Sequence, residues 1–159
     1  MPIGHNHDTR VGFYLNGTPV QVIQTIYNGT TTTSSGTFSV IASLNTNITL
    51  KYQDSKVLIQ FSGTSYVNNG NTDTNAIYGI RRSVGVTDTN IFTTDYNKDL
   101  RSTSGVFQLQ DSLILTFLDT PNTLNQITYR FIQRSITGTI GIGWGGNSFH
   151  ALTLTEIQQ

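Results

Sequence analysis

Apolar and polar residues alternate with a period of two through most of this chain, and runs with a helical period are nearly missing. Successive side chains of a strand point to opposite faces, so each alternating run predicts a strand with one face in a core. The first covers residues 21–27, with Val20, Val22 and Ile26 among its apolar positions. Asn28-Gly29 and the tract 30–36 follow and read as a polar connection. Short strands are expected at 37–41 and 47–52, and a longer one at 56–66 after a turn at Asp54-Ser55. In that longer run Val57, Ile59 and Phe61 share one face. Leu58 sits opposite them and implies partial burial on both faces.

The stretch 68–75 (NNGNTDTN) holds only residues that favour turns or solvent and is expected to be a loop. Strands resume at 76–84 and, more weakly, at 90–94. Residues 95–104 are polar and read as a second exposed loop. Strands at 106–110 and 112–118 precede a turn at 119–122, where Pro121 presets φ and Asn122 tolerates unusual backbone angles. Residues 126–134, 137–144 and 149–157 complete the set. Eight to ten strands in about 140 residues, with no repeat period, point to a jelly-roll sandwich. Residues 1–19 lack the alternation, apart from 11–15, and are expected to form an anchoring arm before a β-domain at 20–159.

Composition narrows the partners. The chain has 159 residues, enough for one domain with a core of its own. Charged residues make up 11%, well below the usual value of about 25%, and Thr, Ser, Asn, Gln and Gly fill the deficit. Seven Tyr, eight Phe and many β-branched residues separate it from a disordered chain. Formal net charge is zero and no basic cluster exceeds Arg81-Arg82, so nucleic acid is not an expected partner. With no cysteine, disulfide frameworks, zinc ribbons and thiol nucleophiles drop out together. The N-terminus MPIGHNHDTR lacks the apolar segment of a secretory signal, and no window approaches the ~20 apolar residues of a membrane span. Membrane insertion is therefore not expected. A surface protein without a signal fits a virus particle released by lysis.

From about residue 20 onward the chain resembles a family of phage and cyanophage structural proteins. The resemblance lies in VQVIQTIYNGTTTTSSGTFSVI at 20–41, NITLKYQDSKVLIQFSG at 47–63 and IYGIRRSV at 77–84. LTFLDTPNTLNQITYRFIQRS at 115–135 and LTLTEIQ at 152–158 complete it. Two motifs carry most weight: D-S-K-V-L-I opening a central strand, and F-L-D-T-P…T-Y…F followed by a terminal L-T-x-x-E-I. The resemblance implies a TNF-like jelly roll assembled as a homotrimer, borne on fibres, spikes or head decorations. Many members carry a long fibrous stalk in front. Here only about twenty residues precede the β-pattern, which shifts the expectation toward a capsid decoration or cement protein held by its arm.

His5-Asn6-His7 is the sharpest local signal. In an extended segment both imidazoles point one way. Around a threefold axis they would offer six nitrogens to a divalent metal such as Fe or Zn, with Asp8 as a supporting partner and Gly4 allowing close approach. The motif looks like H-x-H metal sites of trimeric phage fibres. The alternative is two ordinary solvated histidines.

The run 138–146 (GTIGIGWGG) precedes no helix, so it is not a phosphate cradle. Trp144 is either a stacking platform for a sugar ring or a packing residue at the core edge or between subunits. With Asn69, Asp73 and Tyr96 in the two predicted loops, it forms the candidate glycan-binding set of a receptor-binding knob. Arg81, Arg82, Arg130 and Arg134 are expected in intersubunit salt bridges to Asp111, Asp119 or Glu156, and an anion site is the alternative. Asp54, Asp88, Asp95 and Asp119 read as turn formers rather than a hydrolytic carboxylate pair. His150 lacks the partners of a triad base and reads as a buried or interfacial structural residue. Several strands are apolar on both faces, at Ile77–Ile80, Leu113–Leu115 and Tyr129–Ile132. The second face is expected against symmetry mates. The expected protein is thus an all-β, non-enzymatic homotrimer on a virion surface, contacting other virion proteins through residues 1–19 and, as a knob, host glycans.

Overall fold

A computed structural model describes residues 17–69, 74–98, 107–143 and 148–158. The strands are β1 (Thr18–Asn28), β2 (Thr31–Thr33), β3 (Ser39–Val40), β4 (Thr46–Ile48), β5 (Lys56–Asn69) and β6 (Thr74–Val84). There follow β7 (Thr87–Lys98), β8 (Phe107–Asp119), β9 (Ile127–Thr137), β10 (Thr139–Ile142) and β11 (Phe149–Gln158). Among the described residues the helical element is a single 3₁₀ turn at Ala42–Leu44, and no described helix is long and apolar enough to cross a membrane.

Every pairing is antiparallel, and the pairs nest. The hairpin β6–β7 is innermost and lies in the second sheet. Around it β5 pairs β8 in the first sheet. Next, β3 and β4 pair β9 in the second. Outermost, β1 pairs β11 and β2 pairs β10, again in the first. One long hairpin folded alternately onto two sheets is a jelly roll. Each sheet is effectively four strands wide, because β1 with β2, β11 with β10, and β3 with β4 share single lanes.

The inner faces follow the predicted alternation. Val57, Ile59, Phe61 and Val67 of β5 and Leu113 and Leu115 of β8 meet Ala76, Tyr78, Ile80, Ile127, Tyr129 and Phe131 of the second sheet. Phe61 stacks on Phe131 with ring centroids 3.9 Å apart, and Tyr78 lies 5.8 Å beyond. The Tyr78 hydroxyl donates to the Gly141 carbonyl at 2.7 Å, so its burial strands no polar group.

Several boundaries differ from expectation. The polar tract 30–36 contains β2, whose threonines are held by β10 rather than by apolar burial. The loop predicted at 95–104 begins later, because β7 runs to Lys98 against β6. The two strands predicted at 106–118 are one, β8, paired to β5 along its whole length. Strand β1 starts at Thr18, within the predicted arm, and residues 1–16 lie outside the described residues.

Candidate functional site

The apolar face that the sequence left over is the outer side of the first sheet. Register places Val22, Thr155, Leu58 and Leu118 in one row across β1, β11, β5 and β8. The next row is Gln24, Thr153, Gln60 and Thr116, and the third is Ile26, Ala151, Ser62 and Ile114. None of these twelve side chains is ionisable. Val22, Ile26 and Ile114 are 62%, 61% and 72% exposed, and Leu118 is 46% exposed. A neutral face bearing four large aliphatic groups is unusual on a free monomer.

The outer side of the second sheet has the opposite chemistry. Arg81, Ser83 and Arg130 converge there on Asp88. Arg130 reaches the carboxylate at 3.2 Å and the Ser83 hydroxyl at 2.8 Å, and Ser83 donates to the same carboxylate. Arg81 donates from Nε to Asn90 at 2.8 Å. The Ser83 hydrogen bond and then the charges of Arg130 and Arg81 outweigh desolvation and hold Asp88 below the ordinary carboxylate range. Arg134 lies over the Phe38 ring at 4.8 Å. The two-faced apolar strands therefore resolve differently on the two sheets. Ile114 of the first is exposed, whereas Ile77 and Ile132 of the second point outward yet are buried.

Between the sheets, Arg82 of β6 grips Asp119 of β8 through one guanidinium nitrogen, at 2.8 and 2.9 Å from the two carboxylate oxygens. Tyr129 of β9 donates to the same carboxylate at 2.7 Å. Burial first, and then the Asp119 carboxylate, push the Tyr129 phenol far above its ordinary range. Asp119 had read as a turn former. It is instead the last residue of β8, buried, and a polar link between the two sheets. The motif F-L-D-T-P…T-Y thus encodes a contact between its own two halves. The bridge to Arg82 lies within one chain, not between subunits. Asp88 and Asp95, also read as turn formers, are strand residues of β7.

Glu156, in the terminal L-T-x-x-E-I, is buried, and no cation pairs with it among the described residues. Its carboxylate accepts from Gln21 Nε2 at 2.6 Å and from the backbone N–H groups of Lys51 and Tyr52 at 2.8 and 3.2 Å. Three donors satisfy it in place of the expected arginine. They tie the segment between β4 and β5 to both β1 and β11. Sequence reading missed this role because two of the three donors are backbone groups and all lie more than a hundred residues away.

His150 is buried, in agreement with its structural reading. The candidate glycan residues are only partly located. Asn69 ends β5, and Tyr96 lies in β7 opposite Ala76, in a strand rather than the expected loop. Both belong to the end of the sandwich where β5, β7 and β9 stop and β6, β8 and β10 start. Asp73, Trp144, His5 and His7 lie outside the described residues.

No family model and no curated protein sequence matches the chain. Among solved structures it is similar to the Eiger TNF from S. frugiperda, at 10% identity over 87% of this chain and 92% of that one, with a TM-score of 0.42. It is also similar to a structure of infectious bursal disease virus Gx strain, at 11% identity over 89% of this chain, with a TM-score of 0.36. The VP2 subviral particle of the same virus gives 12% identity over 89% of this chain, with a TM-score of 0.36. The chain spans only 39% and 40% of those two viral chains. The jelly-roll assignment rests on the strand pairings themselves.

Proposed function

We propose that this chain is a non-enzymatic structural protein of a phage particle, a homotrimeric surface unit seated through residues 1–19, with capsid decoration as its principal role. The observation that supports assembly is the contrast between the two outer faces. The three central rows of one are neutral and carry Val22, Ile26, Ile114 and Leu118; the other carries Arg81, Arg130, Arg134 and Asp88. A subunit that packs the first face against its mates buries apolar area without desolvating a charge, and leaves the charged face in water. The phage setting is supported by the motif resemblance.

A receptor-binding knob is the second reading. It is favoured by the gathering of Asn69 and Tyr96 at one end of the sandwich, next to the segments 70–73 and 99–106.

Mass photometry of the purified chain tests the assembly. A trimer is expected, and Ile114→Asp with Leu118→Lys should give a folded monomer with an unchanged far-ultraviolet spectrum. A wild-type monomer would sink the proposal. Labelling on particles then separates the roles: decoration predicts many copies over the head, and a knob predicts few copies at the tail.

A further inference from the structure

The first sheet has a seam. Strand β1 stops at Asn28 and β2 starts at Thr31, while beside them β10 stops at Ile142 and β11 starts at Phe149. The third lane, β5, runs past unbroken: it pairs β11 up to Ser62 and β10 from Ser65, leaving Gly63 and Thr64 facing the gap. His150 fills that gap. Its Nε2 is 3.2 Å from the Gly29 carbonyl, in the break between β1 and β2. Its Nδ1 is 3.4 Å from the Thr64 backbone nitrogen on β5. A carbonyl on one side and an N–H on the other fix the neutral tautomer with the proton on Nε2.

The backbone is shaped to this ring. A Cβ at Gly63 would run into Nδ1, and one at Gly143 would run into the Gly29 carbonyl and come within 2.9 Å of Nε2. Gly143 also takes a positive φ of 76° and donates from its N–H to the Thr64 carbonyl at 3.0 Å. Tyr27 and Phe61 stack on the imidazole with centroids 6.0 and 6.3 Å away.

We propose that His150 is an acid-sensitive latch that closes the seam of the first sheet and, when protonated, opens it at Thr64 and Gly143. This goes beyond the assembly role and does not depend on it. Protonation would put an N–H on Nδ1, facing the N–H of Thr64, so two donors would meet where one bond had been. The packed groups cannot compensate. Among the described residues, the titratable side chain that faces the ring from β1 is the Tyr27 phenol, whose oxygen contacts Thr30 and Thr31. From β5 come Phe61, Gly63 and Thr64, and from the end of β10 Gly143, none of which titrates. Burial lowers the basicity of the imidazole, the Gly29 carbonyl opposes this in part, and no carboxylate of the described residues acts on it. The open form therefore takes up a proton first. Opening becomes easier as pH falls below 6.5, the ordinary histidine value, and continues to do so down to the lowered value of the closed form.

Amide exchange followed by NMR on the whole chain, expressed as protection factors between pH 7.5 and pH 5, tests the latch. The protection of Thr64 and Gly143 should fall about tenfold per pH unit below the histidine range, while Val57 and Phe61 keep theirs. In His150→Gln, which keeps one acceptor and one donor without a titrating ring, the dependence at Thr64 and Gly143 should vanish. A flat wild-type profile, or parallel loss at all four amides, would overturn the proposal. Titration of the His150 ring in the wild type gives a reading that does not depend on the variant folding. A value below the ordinary one is expected, and an ordinary or raised value would overturn the latch.

Discussion

The Tyr129 hydroxyl of the second sheet donates to the Asp119 carboxylate of the first at 2.7 Å, on a carboxylate already held by Arg82. Removing the phenol oxygen leaves a buried acceptor with one donor fewer. Tyr129→Phe should lower unfolding stability by about 1–3 kcal/mol. Asp119→Ala leaves Arg82 without its counter-ion. Because that side chain is 24% exposed and can turn to water, the cost should fall near or below the lower end of the roughly 3–5 kcal/mol seen for broken buried pairs. Urea unfolding of both variants checks the order.

The same phenol sets an alkaline limit. Its ionisation is raised in the folded chain, so above about pH 10 the unfolded chain loses this proton first and stability falls as pH rises. The contribution is fully present below that range. Thermal unfolding between pH 9 and 11 should show a steeper loss for the wild type than for Tyr129→Phe. The residual slope of the variant includes Tyr66, whose phenol burial also raises.

Glu156 predicts a local effect. Glu156→Gln keeps an oxygen acceptor but brings an amide donor close to the Gln21 amide nitrogen, and Glu156→Ala leaves the N–H groups of Lys51 and Tyr52 without their acceptor. Exchange at those two amides should accelerate in the order wild type, Gln, Ala, with the alanine variant losing about 1–3 kcal/mol. Equal exchange in all three would refute the tie.

Two glycines should respond for different reasons. At Gly141 a Cβ would run into the Thr31 carbonyl, which is backbone and cannot swing aside. Gly141→Ala should cost about 1–3 kcal/mol and loosen the pairing of β2 with β10. At Gly85 a Cβ meets open space, but φ is +59°. Gly85→Ala should cost roughly 1 kcal/mol without changing β-sheet pairing. Denaturant midpoints, with exchange at β2, separate the two.

The architecture was legible in the sequence because alternation reports directly which residues face a core. Val57, Ile59 and Phe61, or Tyr129 and Phe131, needed nothing else. Polar strands were not legible. Strand β2 and the end of β7 are held by ladder bonds to β10 and β6, partners that composition does not reveal. Asp119 and Glu156 looked like a turn residue and a salt-bridge partner, since Arg82 lies 37 residues from the first and the Lys51 backbone N–H lies 105 residues from the second. His150 was read as structural. Its two hydrogen bonds depend on chain breaks at Gly29 and Gly143 that only the pairing register exposes.

The nesting of the strands makes the molecule polar in a geometric sense. Thr18 pairs with Gln158, and Gly17 donates to the Gln158 carbonyl at 2.8 Å, so the chain enters and leaves at one pole, near Lys56 and Asp119. The segments after Asn69 and Lys98 leave from the other pole, the length of β5 away: 14 residues, or roughly 40 Å. A peptide fused behind Gln159 would leave from the pole where Thr18 begins β1. One inserted between Asn69 and Thr74 would leave from the opposite pole, so one chain can carry two payloads that never meet.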